Sequence, residues 1–163
     1  MMRSLIPEII DSDHVKIVPF RWYHPRAMDL RPFDLKTYEL VPDFEDNLKY
    51  YQNEEHSYTA FLDNKPVCCF GSHILWNGVS ESWLLTSYDI EKRPITITRM
   101  CRRYFDYVAR ELRLHRMQIT CNTNDLLAMR FAIALKLDKE GVMKKYGPDG
   151  SDYAVFARTY DHE

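Results

Sequence analysis

With 45% hydrophobic and 28% charged side chains, a chain of 163 residues can build one globular domain with a sizeable core, at most with an arm. Its net charge of −2 provides no overall basic field, so nucleic acid is not an expected partner. No apolar run approaches the roughly 18 residues of a membrane helix, and the four cysteines (Cys68, Cys69, Cys101, Cys121) contain no C-x-x-C pair that would suggest zinc.

Residues 1–12 read as a weakly patterned arm, and residues 13–163 as a single domain. The arm lacks the apolar core of a signal peptide, and the cysteines suit small buried hydrophobes in a reducing compartment. The cytoplasm is therefore the expected location. His14-Val15-Lys16-Ile17-Val18-Pro19-Phe20 alternates as a first strand, with Pro19 at its end or edge. His24-Pro25 opens a short helix, which Arg31-Pro32 interrupts. Residues 33–40 fit a strand or another helical turn equally well. Residues 43–52 place Phe44, Leu48 and Tyr51 at helical spacing behind Pro42, which predicts an amphipathic helix.

Three strands follow. Residues 57–62 form one, and Asp63-Asn64-Lys65 is a three-residue turn. Residues 66–75 return, with Cys68 and Cys69 on opposite faces and Gly71 marking a bulge or a close backbone approach. Asn77-Gly78 is a strong hairpin signal, and residues 81–86 complete an antiparallel meander. Residues 94–112 read as a helix with one apolar stripe (Ile97, Cys101, Tyr104, Phe105, Val108, Leu112). Residues 117–121 are a fifth strand, expected parallel to the Trp83 strand because a helix crosses between them. Residues 122–125 supply caps for a second core helix over residues 126–137. Residues 140–146 and 152–160 flank Pro148-Asp149-Gly150 as a terminal hairpin. The order predicts an α+β fold, a central mixed β-sheet flanked by helices.

The stretch Trp83-Leu84-Leu85-Thr86-Ser87 has functional interest. A buried strand ends on two hydroxyl residues, a charged loop follows, and Pro94 opens a helix. Free N–H groups and the positive end of the helix dipole make such a junction suitable for a phosphate group.

Several phrases carry a resemblance. Residues 125–141 hold Ala128, Arg130-Phe131 and Glu140-Gly141 at the spacing of N-x-x-A-x-R-F-x-x-x-x-G-F-x-x-E-G, with Asp125 at its Asn and Lys136-Leu137 at its Gly-Phe. This resembles the GNAT N-acetyltransferases. Residues 58–71, the Trp83–Ser87 stretch with Pro94-Ile95, and Gly150-Ser151-Asp152-Tyr153 leading to Phe156 are similar to GNAT-like proteins of tailed phages, including a family resembling an internal virion protein. The resemblance implies the GNAT fold, acetyl-CoA as cofactor and a phage origin. The expected location becomes the host cytoplasm, with virion association as a variant, and the expected partner is a host protein. An oligomer is compatible with it.

Acetyl transfer to an amine needs a held thioester, a polarised carbonyl and a neutral amine. The resemblance places the pantetheine arm along Leu85, Thr86 and Ser87. It places the pyrophosphate over a loop where Lys92, Arg93, Ile95, Thr96 and the helix start are the available groups, with Asn122 beside them. That loop contains no glycine, so backbone approach to phosphate is sterically harder, and Asp89 and Glu91 oppose an anion. Glu81 and His73 on the meander are the candidate bases. Phe131 stands near the position that often holds a tyrosine acid, which leaves Tyr146, Tyr153 and Tyr88, with Tyr146 preferred. The basic run from Arg99 to Arg116 is a solvated helix face, or a contact for an acidic partner or the CoA 3′-phosphate. Two readings follow. One is a GNAT acetyltransferase acting on an amine of a host protein or small molecule. The other is a catalytically degenerate GNAT fold that binds a host protein or belongs to a virion.

Overall fold

The computed structural model describes residues 15–162. The arm expected at residues 1–12 lies outside the described residues, as does His14. Seven strands follow in chain order, β1 (Val15–Pro19), β2 (Tyr58–Leu62), β3 (Lys65–Trp76), β4 (Val79–Thr86), β5 (Arg116–Asn122), β6 (Asp138–Met143) and β7 (Tyr153–Thr159). Four α-helices accompany them, α1 (Pro32–Leu40), α2 (Phe44–Asn53), α3 (Pro94–Glu111) and α4 (Leu126–Ala134). The strands form one sheet in the order β1-β2-β3-β4-β5-β7-β6. Every neighbouring pair is antiparallel except β4 and β5. Those two are parallel because α3 carries the chain back across the sheet between them.

Strand alternation divides the core in two. Cys68 and Phe70 face the layer of α3 and α4, while Cys69 faces the layer containing Leu48 of α2 and Leu85 of β4. All four cysteines are buried and unpaired. Helix α3 buries Ile97, Cys101, Tyr104, Phe105 and Val108 as its periodicity predicts, and adds Met100, Tyr107 and Ala109. Tyr104 has no exposed surface. Its hydroxyl donates to the His56 carbonyl at 2.6 Å and meets Ser72 Oγ at 3.1 Å, so a polar group is buried without losing its hydrogen bonds.

Turn chemistry fixes the meander. Asp63 and Asn64 both take positive φ (49° and 68°), and Leu62 pairs with Lys65. The first turn is therefore a two-residue loop, one residue shorter than expected. Trp76 pairs with Val79 across Asn77-Gly78, with Gly78 at φ 87°. Gly71 is a close approach and not a bulge: a Cβ there would stand 2.6 Å from Ser57 Oγ and 2.7 Å from Trp83 Nε1. The register shifts fall elsewhere, at Ala60/Phe61 and at Ile74/Trp76.

Of the two readings open for residues 33–40 the helical one holds, and three other boundaries differ from the sequence expectation. Residues 33–40 are helical, with Pro32 in the first turn; the helix buries none of its residues, so it carries no stripe that the sequence pattern could reveal. The short helix at His24 is a single 3₁₀ turn. Helix α4 stops at Ala134, three residues early, because Lys136 turns into the left-handed region at φ 66°. Leu137 N–H then reaches the Ala132 carbonyl and Lys136 N–H the Ile133 carbonyl, the two bonds of a Schellman cap. The terminal hairpin begins at Asp138 and its first strand ends at Met143, leaving Tyr146 in the connecting loop.

Candidate functional site

Strands β4 and β5 pair only at Val79–Arg116, Ser80–Met117 and Glu81–Gln118. Beyond Glu81, β4 continues to Thr86 still paired to β3, and β5 continues to Asn122 still paired to β7. The two strands therefore diverge as a V in the middle of the sheet. A cavity of about 760 Å³ fills the V. Its walls include Phe33, Phe44 and Tyr51 from the α1/α2 layer, and Ile97, Phe105 and Phe131 from the α3/α4 layer, so the cavity runs through the sheet.

The open edge of β4 is a row of peptide groups. Ser87 N–H donates to Val67 of β3, whereas the Thr86 peptide faces the other way: its carbonyl accepts from Arg31 N–H at 3.1 Å. Alternation along the strand turns the Ser82 and Leu84 peptides to the same open edge as Thr86. Thr86 N–H is held by Asp34 of α1, whose Oδ2 accepts it at 3.1 Å and accepts Thr86 Oγ1–H at 2.8 Å. Burial pushes the Asp34 carboxyl up to about 6, against the Thr86 hydrogen bonds and the Arg31 charge that pull it down.

Arg31 and Asp125 close this end of the slot with a 2.6 Å ion pair, 11% and 7% exposed. Asp125 also caps α4 by accepting the Ala128 N–H at 3.1 Å. One carboxylate thus fixes the start of α4 and holds the approach to α1. The loop after β7's partner strand joins in: Lys36 of α1 meets Asp149 at 2.7 Å.

The three acid–base candidates lie along one cavity. His73 and Glu81 are direct cross-strand partners, which puts their Cβ atoms about 5 Å apart. His73 Nδ1 lies 2.8 Å from Glu54 Oε1. Glu81 has no hydrogen-bond or ion-pair partner among the described residues. Tyr146 is 56% exposed and edges the Tyr153 ring at 5.4 Å. Burial raises its phenol, with the Glu81 charge adding to the effect. Tyr88, the third tyrosine, sits on the exposed 3₁₀ turn and does not line the cavity.

The groups expected around a cofactor divide. Leu85, Thr86 and Asn122 line the cavity, whereas Ser87, Lys92, Arg93, Ile95 and Thr96 lie outside its lining. Ser87 is fully buried and its Oγ accepts the Asp89 N–H at 2.9 Å, starting the 3₁₀ turn Tyr88–Lys92. Asn122 spends its side chain locally, donating to Ser151 Oγ and accepting from Asn124 N–H. Asp89 is not an unopposed anion: Lys92 and Lys65 reach it at 2.8 and 2.9 Å and hold its carboxyl down at about 2. Arg93, at the N-cap of α3, makes no side-chain cap, so the N–H groups of Ile95 and Thr96 keep the orphan character of a helix start. Sequence reasoning missed Asp34 and Arg31. The Pro32-x-Asp34 pattern signals a helix start, but nothing in it points to Thr86, 52 residues away.

Solved structures share this architecture over nearly the whole chain. An acetyltransferase of the GNAT family from Bacillus anthracis is 17% identical, covers 92% of this chain and 97% of its own, and superposes with a TM-score of 0.69. The fold is that of the GNAT acetyltransferases. RimL, the ribosomal L7/L12 alpha-N-protein acetyltransferase, in complex with coenzyme A, is 15% identical over 95% of this chain and 99% of its own, with a TM-score of 0.70. The yncA protein of Salmonella typhimurium with its cofactor acetyl-CoA is 10% identical over 93% and 96%, with a TM-score of 0.69. No family model matches the chain, and no curated protein matches it significantly. The GNAT fold here thus rests on topology. Among the described residues there is no cluster of His, Cys, Asp and Glu fit for a metal ion, and no helix is long and apolar enough to cross a membrane.

Proposed function

We propose that this protein binds acetyl-CoA in the β4–β5 slot and transfers the acetyl group to an amine of a host protein or a small molecule. The observation that carries the reading is the divergence of two parallel strands after three paired residues, which leaves β4 peptide groups facing an apolar cavity. That edge fits a pantetheine arm, itself a chain of amides needing an extended partner. The uncapped start of α3 fits a pyrophosphate, with Ile95 and Thr96 N–H groups as donors. When bound, acetyl-CoA supplies an activated acetyl thioester.

The chain's own residues supply the rest. The Leu84 peptide at the open edge polarises the acetyl carbonyl. Glu81 takes the proton from the incoming ammonium, passes it to solvent at the mouth of the slot, and takes the second proton from the nitrogen as the C–N bond forms. Tyr146 donates a proton to the departing sulfur as the C–S bond breaks. The aromatic walls keep competing water away from the thioester.

The second reading, a GNAT fold kept for binding a host protein or for a virion role, is favoured by one observation. Asp34 already occupies the Thr86 N–H on the track of the arm, beside a loop without glycine. Thermal unfolding with acetyl-CoA separates the two. At about a hundredfold excess over Kd, a ligand of the folded state adds about 2.7 kcal/mol, a rise of about 5 to 10 °C for a chain of this size. No rise at millimolar acetyl-CoA overturns the acetyltransferase reading.

A further inference from the structure

The acceptor end of the slot has a chemistry narrower than "an amine". Strand alternation brings Glu81, Trp83 and Leu85 to the α1/α2 face of the sheet. Tyr51 stacks on Trp83 there, with centroids 5.1 Å apart and planes 17° from parallel. Phe33, Val41 and Phe44 continue the wall outward.

Charge on this face is sparse and almost all paired. Arg31 is bound to Asp125, and Asp34 to Thr86. His73 meets Glu54, and Lys36 at the rim meets Asp149. Arg130, the other cation of the lining, sits on α4, in the opposite layer. On the α1/α2 face of the lining Glu81 is left as the unpartnered carboxylate, placed where β4 and β5 part. One carboxylate against an aromatic wall suits one ammonium, held by charge and by the ring faces. Beyond that ammonium the wall offers no counter-ion for a carboxylate or phosphate, and the other unpartnered acid of the lining, Glu91, stands on the 3₁₀ turn past the far end of β4, away from the acceptor side.

We propose that the acceptor is a primary amine on an apolar, otherwise uncharged stem. An arylalkylamine and a protein N-terminus bearing a large apolar first residue share this chemistry. The inference rests on the acetyltransferase reading for the fate of the amine, but not for its binding.

The test uses the full chain and a set of probes that differ in one group each. Phenethylamine, phenylalanine amide, phenylalanine, spermidine and a short peptide beginning with Phe are titrated by calorimetry without acetyl-CoA. They are then incubated with acetyl-CoA and followed by mass spectrometry. Phenethylamine and phenylalanine amide are expected to bind at least tenfold more tightly than phenylalanine, which adds only the carboxylate, and than spermidine. Glu81→Gln is expected to remove most of that preference while leaving the melting temperature near wild type. If the Phe peptide exceeds phenethylamine, the acceptor is a protein N-terminus; the reverse order makes it a small molecule. Spermidine or phenylalanine binding as well as phenethylamine overturns the proposal, as does Glu81→Gln binding phenethylamine unchanged. Selective amine binding without acetyl-CoA binding refutes the acetyltransferase reading alone. Acetyl-CoA binding without amine selectivity refutes this inference alone.

Discussion

Asp34 gives the sharpest test of the slot. Its carboxyl stands at about 6 in the folded chain against an ordinary 3.8, with burial as the main cause. That difference is worth about 3 kcal/mol between the two protonation states. The folded state holds the proton more tightly than the unfolded chain. The stability due to neutral Asp34 is therefore fully present below about pH 4 and lost as pH rises through about 6. Roughly half of the loss has occurred by about pH 5, and the rest follows by about pH 8. Asp34→Asn keeps an oxygen that accepts both Thr86 donors but cannot ionise. Other titrating groups cancel between the two proteins. The variant is expected to gain about 1 to 2 kcal/mol relative to wild type between about pH 5 and about pH 8, about 2 to 8 °C in melting temperature. Urea unfolding of both proteins across that range reads the difference directly. A difference that stays flat with pH, or that turns against the variant at high pH, refutes the placement of a buried carboxyl on the β4 edge.

Three further substitutions probe the frame around it. Asp125→Ala removes the α4 cap and strands Arg31 in the slot wall, and is expected to destabilise by about 3 to 5 kcal/mol. Asp125→Asn, which keeps a cap, is expected to lose clearly less, and equal losses in denaturant titrations argue against the shared role. Lys136→Gly relieves a left-handed lysine at the α4 terminus. It is expected to stabilise by about 1 kcal/mol in thermal melts, and a loss of stability refutes the cap. Gly71→Ala drives a methyl into Ser57 and the Trp83 indole. It is expected to cost about 1 to 3 kcal/mol and to shift tryptophan fluorescence as the Tyr51 stack opens; an unchanged spectrum and melt contradict the close approach.

Much of the fold is legible in the chain, for local reasons. Asn77-Gly78 demands a hairpin, and the alternation around Cys68-Cys69 sends neighbours to opposite layers. The stripe on α3 declares its buried face, and a helical crossover makes β5 parallel to β4. The undecided stretch and the misplaced boundary have local causes too. Helix α1 buries nothing and so shows no period, and the end of α4 uses a lysine where a glycine would have signalled the stop. At the site, Glu81, His73 and Tyr146 all line one cavity, whereas Lys92, Arg93 and Thr96 of the loop do not. Lys92 is engaged by Asp89, and Ser87 is buried under its own turn.

The sequence by itself determined the order of elements, the strand faces and the junction from Trp83 through Ser87 to Pro94. These follow from periodicity and turn chemistry, which act over a few residues. Only the tertiary structure decided that β4 and β5 part after Glu81 and what fills the gap between them. Asp34 and Thr86 lie 52 positions apart, Arg31 and Asp125 94. No local rule joins such residues: Asp34 meets Thr86 because α1 lies against the open edge of β4, and Arg31 meets Asp125 because the starts of α1 and α4 come together at the slot.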